Sequence, residues 1–351
     1  MGITRLTDTF CICNNFFITN YGGLSMSEIK QWKDIQDRYG DSLVLGNGAS
    51  IAVHDDFSYG SLFETATKLG HIDANVEDVF HRFDTSDFEL VLRRLWQATL
   101  VNEAMGVHGE AVLQAYQDVR SALINTVQNT HVDYDKARQY FPEICNFMKS
   151  FKTVVSLNYD LIVYWALLYG NSEYGGRYFK DGFWSGIFRD DWDTLRKPYG
   201  AAKSSTLIFY PHGNLALARD EFDSECKIGT PEGDKLLDTI LSHWERGRGV
   251  PIFVCEGTAD HKKVAIKSSS YLERVNREVM VDLGQTVVIY GWGIGSQDQH
   301  LVEQIERNRP LRIAVSIYGQ DDELMDRARK EFNGINVEFF DAQSSGAWLF
   351  S

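Results

Sequence analysis

The sequence has no apolar run close to the roughly 20 residues that a membrane-spanning helix needs. Its first 25 residues also lack the basic start and the long apolar centre of a secretory signal peptide. Basic residues are outnumbered, with 35 Lys and Arg against 49 Asp and Glu, which gives a net charge of −14. A net negative surface argues against a protein that coats nucleic acid, because phosphate binding needs concentrated Lys and Arg. A local basic groove is still compatible with this net charge.

Cysteine is scarce and scattered, at positions 11, 13, 145, 226 and 255. An odd number without paired spacing indicates a reducing compartment rather than a disulfide framework. Cys11 and Cys13 have no second pair at zinc-ribbon spacing, so we expect free thiols there and no bound metal. Together with the missing signal peptide, these observations predict a cytoplasmic protein that does not span a membrane.

Short apolar runs rich in β-forming residues recur along the chain, and a turn and a helical pattern follow each of them. Buried strands that alternate with helices are typical of a mostly parallel sheet, so we predict an α/β, Rossmann-like, doubly wound fold. The predicted strands are 42–45, 153–157, 206–210, 251–255, 286–290, 312–317 and 336–340.

The chain is predicted to form one α/β domain over residues 26–351, after a poorly ordered extension at 1–25. A helix is predicted from Ser27, its N-cap, to Tyr39. Residues 60–150 are predicted to form a large helical insertion, with helices at 88–104 and 110–128. Residues 171–205, rich in glycine and aromatic side chains, are predicted to form an ordered loop or a lid.

Polar or glycine-rich residues follow three of the predicted strands. Gly46-Asn47-Gly48-Ala49-Ser50 comes directly after the first strand, where Gly-x-Gly lets a backbone approach a phosphate and a helix N-terminus adds its dipole. A lone Gly-x-Gly is weak evidence, and a tight structural turn is the alternative. Asn158-Tyr159-Asp160 follows the second strand, where helix capping is the alternative to ligand binding. His212-Gly213 follows the third, and a lone histidine is more often structural.

The order of these motifs resembles that of the sirtuin-like superfamily. Two later segments add to the resemblance, the strand ending in Glu256-Gly257 and the stretch Gly291-Trp-Gly293-Ile-Gly-Ser296. The similarity covers the strand framework from about residue 42 to 320 and leaves out the helical insertion. It implies NAD as the bound nucleotide and substrate, with Gly46, Gly48, Ala49 and Ser50 at the pyrophosphate and Gly291, Gly293 and Ser296 at the adenosine half.

The resemblance also implies catalytic roles. Asn158 would hold the ribose or an attacking water with Asp160 beside it, and His212 would be the general base. Phe57 would close the nicotinamide end, although on its residue type alone it is a core residue. The two Cys pairs of the zinc ribbon found in protein-deacetylating sirtuins are absent after His212. The chain therefore looks more similar to the zinc-free sirtuin-like proteins of bacterial defence systems, which hydrolyse NAD.

We thus expect an NAD glycohydrolase that releases nicotinamide and ADP-ribose, with a role in antiviral defence that follows from the resemblance alone. Breaking the nicotinamide–ribose bond develops oxocarbenium character, which an oriented amide and a neutral histidine suit. The alternative is a non-catalytic module that senses NAD or ADP-ribose and regulates a partner. A homo-oligomer or an activating protein partner fits either hypothesis. His261-Lys262-Lys263 is interpreted as a basic turn rather than a phosphate contact.

Overall fold

The computed structural model describes residues 29–58, 61–174, 176–200, 202–220, 223–230, 232–247, 249–254 and 257–350. The expected extension at 1–25 and the N-cap Ser27 lie outside these residues, as do Glu256 and three of the cysteines. Within the described ranges, no helix is long and apolar enough to cross a membrane.

The strands of the described residues are β1 (Ile29–Lys30), β2 (Ser42–Leu45), β3 (Thr153–Ser156), β4 (Phe179–Lys180), β5 (Phe183–Trp184), β6 (Ile187–Phe188), β7 (Thr206–Phe209), β8 (Gly213–Arg219), β9 (Glu225–Lys227), β10 (Val250–Phe253), β11 (Thr286–Tyr290), β12 (Arg312–Ile317) and β13 (Asn336–Asp341). The α-helices are α1 (Trp32–Ile35), α2 (Asn47–Val53), α3 (Leu62–Lys68), α4 (Ala74–Arg82), α5 (Phe88–Met105), α6 (Glu110–Thr130), α7 (Tyr134–Arg138), α8 (Phe141–Met148), α9 (Ile162–Glu173), α10 (Leu236–Glu245), α11 (Ala259–Lys267), α12 (Ser270–Arg274), α13 (Gln299–Asn308) and α14 (Asp322–Glu331).

The main sheet has eight strands in the order β1-β13-β12-β11-β2-β3-β7-β4, and every neighbouring pair is parallel. Without its two edge strands, the sheet has the 3-2-1-4-5-6 order of dinucleotide-binding folds, with β2 as the first strand. The chain adds β3 and β7 on one side of β2, then β11, β12 and β13 on the other. The direction of winding therefore reverses between β2 and β11, and the predicted Rossmann-like parallel sheet is confirmed.

Apolar, largely β-branched strands explain why this sheet forms the core. Every residue of β2, β3 and β7 is buried, and alternate side chains of a strand point to opposite faces. Both faces of the sheet are therefore covered, as a parallel sheet requires. Each fully buried Val, Leu or Ile contributes about 1.5–3 kcal/mol relative to an exposed one.

The segment between β2 and β3 is helical, from α2 through α8, as the pattern of residues 60–150 predicts. The long helices α5 and α6 pack against each other. Asp87 caps α5 by accepting hydrogen bonds from the N–H groups of Glu89 and Leu90, and Gly106 ends that helix with a φ of 62°. The buried side chain of Arg219, in β8, pairs with Glu89, so the insertion is tied to the strand that follows His212.

The prediction of a helix from Ser27 to Tyr39 is wrong. The described part of this segment begins with the edge strand β1, where Ile29 pairs with Phe339 of β13, and continues as the single turn α1 and a 3₁₀ turn at Gln36–Arg38. The Tyr39 hydroxyl donates to Glu338, which also pairs with Lys30. Pairing with the last strand of the sheet outweighs the helical periodicity of the segment.

The prediction that the run 251–255 belongs to the parallel sheet is also wrong. The described part of this run is β10, and this strand belongs to a separate antiparallel sheet of order β10-β8-β9 rather than to the parallel sheet. The sequence pattern gave no prediction for β8, although all seven of its residues are buried. An apolar run indicates a strand but does not say which strand it pairs with.

Residues 171–205 form several short elements rather than one loop. The segment contains the end of α9, then β4, which extends the main sheet beside β7, and then the two-stranded β5–β6 hairpin. A 3₁₀ turn at Trp192–Arg196 follows, with Trp192 packed against Phe209 of β7. The aromatic side chains of this segment are thus largely used for packing.

Candidate functional site

A cavity of about 650 Å³ lies where β2, β3, β7 and β11 end. We call it the central cavity. Ligands of open α/β sheets bind outside the carboxyl ends of the strands, at the point where the winding reverses. The cavity occupies that position between β2 and β11. Its lining includes Gly46, Asn47, Asn158, Tyr159, Asp160, His212, Lys262, Gly291, Gly293 and Asp298.

Glycines let the two loops beside the reversal point touch. A Cβ on Gly46 would lie 2.5 Å from the Cα of Trp292, and a Cβ on Gly48 would lie 2.8 Å from the Cα of Gly291. Gly291 itself has a φ of +67°, a conformation that side chains disfavour. The approach of Gly48 to Gly291 has glycine on both sides, and that of Gly46 to Trp292 has glycine on one side, so a side chain at Gly46 or Gly48 would push the two loops apart.

The backbone N–H groups of the Gly-x-Gly turn already have acceptors within the protein. Gly46 donates to the carbonyl of Tyr290 at 2.9 Å, Gly48 donates to that of Gly291 at 2.7 Å, and Ala49 donates to that of Gly46 at 3.0 Å. The sequence predicts a phosphate cradle from these amides. In the structure the amides of Gly46 and Gly48 hold the β2 and β11 loops together, and that of Ala49 closes the turn itself.

Asn158 is buried, and the partners of its amide fix the orientation of the side chain. Its Nδ2 donates to the Gly46 carbonyl at 3.0 Å and to the Ser50 hydroxyl at 2.8 Å. Both N–H bonds of the amide are therefore used, and its Oδ1 is the atom left as an acceptor. Since Asn158 lines the central cavity, the side chain offers a hydrogen-bond acceptor to a ligand there.

Ser50 and Asp160 stand behind Asn158. The Ser50 hydroxyl accepts from Asn158 and donates to Oδ2 of Asp160 at 2.5 Å, while Oδ1 of Asp160 accepts from the N–H of Ile162. Burial raises the pKa of Asp160, and the nearby His131 opposes that shift. Ser50 and Asp160 are therefore positioning residues, because their hydrogen bonds hold the amide of Asn158 in place.

His212 meets a histidine for which the sequence gave no prediction. The two Nε2 atoms of His212 and His300 lie 2.9 Å apart, so one ring donates a hydrogen bond to the other. Burial, together with the charge of Lys262, lowers the pKa of His212 to about 3. Burial likewise lowers the pKa of His300 to about 4. Both imidazoles are therefore neutral at pH 7, and His212 is a hydrogen-bond partner of weak basicity.

A buried ion pair lies beside the histidines. The ammonium group of Lys262, in α11, donates to Oδ1 of Asp298 at 2.7 Å, and Nε1 of Trp292 donates to Oδ2 at 3.1 Å. Burial raises the pKa of Asp298, but His212, Lys262 and these hydrogen bonds outweigh it and the net pKa is lowered. The interpretation of residues 261–263 as a basic turn is therefore wrong, because Lys262 is a buried helical residue that lines the cavity.

His212, Asp298 and His300 lie close enough for their ligand atoms, all within 4.8 Å of one another, to reach one metal ion. Two histidines and a carboxylate are a known ligand set for iron. However, both carboxylate oxygens of Asp298 already accept hydrogen bonds, one of them from an ammonium group. A cation would have to displace Lys262 or lie beside its charge. The electrostatics therefore favour the ion pair over a metal.

Of the other residues singled out from the sequence, Ala49, Ser50 and Ser296 lie around the cavity and Phe57 lines it. Ala49 and Ser50 are buried behind its wall, and Ser296 lines neighbouring clefts. Phe57 lines the cavity and packs edge-on against His131, so it is at once a wall and a core residue. None of the described residues of 171–205 lines the cavity, so the aromatic segment is not a lid over it.

Comparison with known families gives one match. Residues 43–348 match the model of a family described as a domain of unknown function, DUF4917. The chain belongs to this family. The matched range includes every residue of the central cavity and runs from β2 to beyond β13. No curated protein matches the chain.

Proposed function

We propose that this member of the DUF4917 family hydrolyses the nicotinamide–ribose bond of NAD, giving nicotinamide and ADP-ribose. One observation carries the proposal: Asn158 and His212 line a single cavity at the reversal point of a sheet with dinucleotide-binding strand order. The resemblance of the strand-end motifs to the sirtuin-like superfamily supports NAD as the nucleotide.

The orientation of Asn158 suits this chemistry. Cleavage lengthens the bond to nicotinamide and leaves positive charge on the ribose, as in other glycoside hydrolyses. The electron pair of the breaking bond goes to nicotinamide, which leaves as a neutral molecule, so no strong protein acid is required. The fixed Oδ1 of Asn158 would accept a hydrogen bond from a ribose hydroxyl or from the attacking water, which holds either in place.

His212 would complete the reaction once its Nε2 exchanges the hydrogen bond with His300 for one from the attacking water, since the backbone of Leu157 engages the ring as well. As the water oxygen bonds to the anomeric carbon, one proton leaves it, passing to His212 and then to solvent. The pKa of about 3 makes the imidazole a weak base before the substrate binds. The water becomes strongly acidic only as it bonds to the cationic sugar, so a weak base is sufficient at that stage.

The test is to incubate the purified protein with NAD and to separate the products. His212→Ala and Asn158→Ala should each reduce nicotinamide release by about 10²–10⁴-fold, the range typical of such groups. His108→Ala is the matched control, since His108 is exposed in the loop between α5 and α6. Parent-like rates in both cavity variants would refute the assignment of these residues.

The low pKa values of His212 and His300 also favour a second candidate function, that of a sensor which binds NAD or ADP-ribose without cleaving it. A sensor would bind NAD and leave it intact over a long incubation. Calorimetry with NAD and with ADP-ribose, followed by product separation, distinguishes the two functions. Binding that Asn158→Ala weakens, without any nicotinamide release, would establish the sensor and refute the hydrolase.

A further inference from the structure

A second pocket, of about 690 Å³, lies on the side of the molecule formed by the aromatic segment. We call it the lateral pocket. It is bounded by α9, β4, the β5–β6 hairpin and the 3₁₀ turn Trp192–Arg196, with Lys227 of β9 at its base. The lateral pocket shares no lining residue with the central cavity. It is therefore a separate site.

The charge of the lateral pocket is opposite to that of the whole protein. Its lining carries five cationic side chains and a single carboxylate, in a chain with a net charge of −14. The carboxylate, Asp181, pairs with Lys227, and Arg189 pairs with Asp191 nearby. Among the described residues, Arg177, Lys180 and Lys197 have no carboxylate partner. Three positive charges are thus left without a counter-charge.

Two of these cations also repel each other. The ammonium group of Lys180 donates to the carbonyl oxygens of Leu195 and Lys197, which fixes its position at the pocket. Arg177 and Lys180 line the same pocket, and burial together with the charge of Arg177 lowers the pKa of Lys180. An anion bound between them would relieve this repulsion. A phosphomonoester, with a charge of about −1.5 to −2 at pH 7, matches such a pair.

Aromatic rings lie beside the cations. The guanidinium carbon of Arg177 is 4.6 Å from the ring centre of Trp184 and 5.2 Å from that of Tyr199. These rings are 53% and 63% exposed, so flat apolar surface is available at the pocket mouth. A guanidinium that stacks on a ring keeps its N–H groups free to bind phosphate at its edge. Phe179, Phe183 and Leu167 add apolar wall inside.

We propose that the lateral pocket binds a planar aromatic ring that carries a phosphate group, a ligand of the size of a nucleoside monophosphate. The ring stacks at Trp184 and Tyr199, and the phosphate lies between Arg177 and Lys180. A volume of 690 Å³ falls in the range of small-molecule sites. This site is independent of the central cavity and of the function proposed for it.

Titration calorimetry of the full chain with AMP tests the proposal. Arg177→Gln should weaken AMP binding by about 10- to 100-fold, the usual loss for a hydrogen bond to a charged group. Trp184→Leu should weaken it about tenfold through lost stacking. Both side chains are exposed, so the variants should fold. Arg307→Gln removes the same charge at an exposed position of α13 and should bind AMP like the parent protein.

Two further sets of measurements distinguish the lateral pocket from the central cavity, and the contribution of the phosphate from that of the ring. Asn158→Ala alters only the central cavity, so it should not reduce the AMP binding that Arg177→Gln removes. Inorganic phosphate and adenosine should each bind more weakly than AMP. The proposal is overturned if Arg177→Gln binds AMP like Arg307→Gln, if only Asn158→Ala loses binding, or if phosphate or adenosine alone binds as tightly as AMP.

Discussion

Replacing Gly48 with alanine tests whether the Gly-x-Gly turn serves loop packing or direct ligand contact. The added Cβ would lie 2.8 Å from the Cα and 2.9 Å from the carbonyl oxygen of Gly291. Neither atom belongs to a flexible side chain, so the β2 and β11 loops must move apart. Gly293→Ala is the matched control, because Gly293 lines the same cavity and its Cβ would meet no atom within 4 Å.

The expected magnitude follows from two opposing effects. Overpacking of a close contact costs about 1–3 kcal/mol. Alanine is favoured over glycine by about 1 kcal/mol in a helix, and Gly48 lies in α2. We therefore expect Gly48→Ala to lower the free energy of unfolding by up to about 2 kcal/mol. Gly293→Ala should leave it unchanged or raise it by up to about 1 kcal/mol.

Urea unfolding of both variants measures this difference. Gly48→Ala should lower the denaturation midpoint without changing the slope of the transition, since the area exposed on unfolding stays the same. NAD affinity should fall as well, because the cavity mouth widens. If Gly48→Ala unfolds at the same midpoint as Gly293→Ala and loses only NAD affinity, the packing role is refuted and the phosphate contact expected from the sequence is supported instead.

Three further results are expected. Asn158→Asp should abolish NAD turnover as fully as Asn158→Ala, because a carboxylate cannot donate to Gly46 and Ser50; product analysis showing the parent rate would contradict the amide orientation. His300→Gln should make the free energy of unfolding less sensitive to acid. The pKa of His300 is about 4 in the folded protein and about 6.5 in the unfolded chain, so the unfolded chain binds a proton first as the pH falls. The folded state therefore loses up to about 1.4 kcal/mol of stability per pH unit between these two values. Urea midpoints at pH 6 and pH 5 measure this loss, and an equally steep decline in the variant would refute it. EDTA should change neither turnover nor the unfolding midpoint, because Lys262 neutralises Asp298; a loss that Zn²⁺ or Fe²⁺ restores would show a metal.

The central strands could be predicted from the sequence because their signal is local. Runs such as Thr286-Val-Val-Ile-Tyr290 favour strands whatever lies beside them. The edge strand β1 has only two residues, and it forms because β13 offers a partner. The antiparallel pairing of β10 with β8 also depends on tertiary contacts, which no periodicity encodes. The strands at the centre of the main sheet were therefore predictable, while β8, the edge strand β1 and the pairing of β10 were not.

Some residues of the candidate site could likewise be predicted from the sequence, and others could not. Asn158, Asp160 and His212 directly follow strands, and strand ends of a parallel sheet meet at one edge. His300 and Lys262 come from helices α13 and α11, where His300 contacts His212 and Lys262 lines the cavity. Asp298 lies two residues after Ser296, where a stretch singled out from the sequence ends, and is the one local signal near them. Helical patterns around these residues suggest surface positions, so packing alone reveals that the side chains are buried.

The position of β2 at the centre of the sheet has a consequence for folding. Asp41, just before β2, contacts Lys152 beside β3 across 111 residues and Thr286 of β11 across 245 residues. Both strands that flank β2 are therefore far from it in sequence. Closing such long loops costs conformational entropy, and the strand pairing that offsets this cost forms only afterwards. We expect slow refolding in which the helices between β2 and β3 form early, and the central cavity, which needs both halves of the sheet, appears last. Recovery of NAD binding would then report the final step of folding.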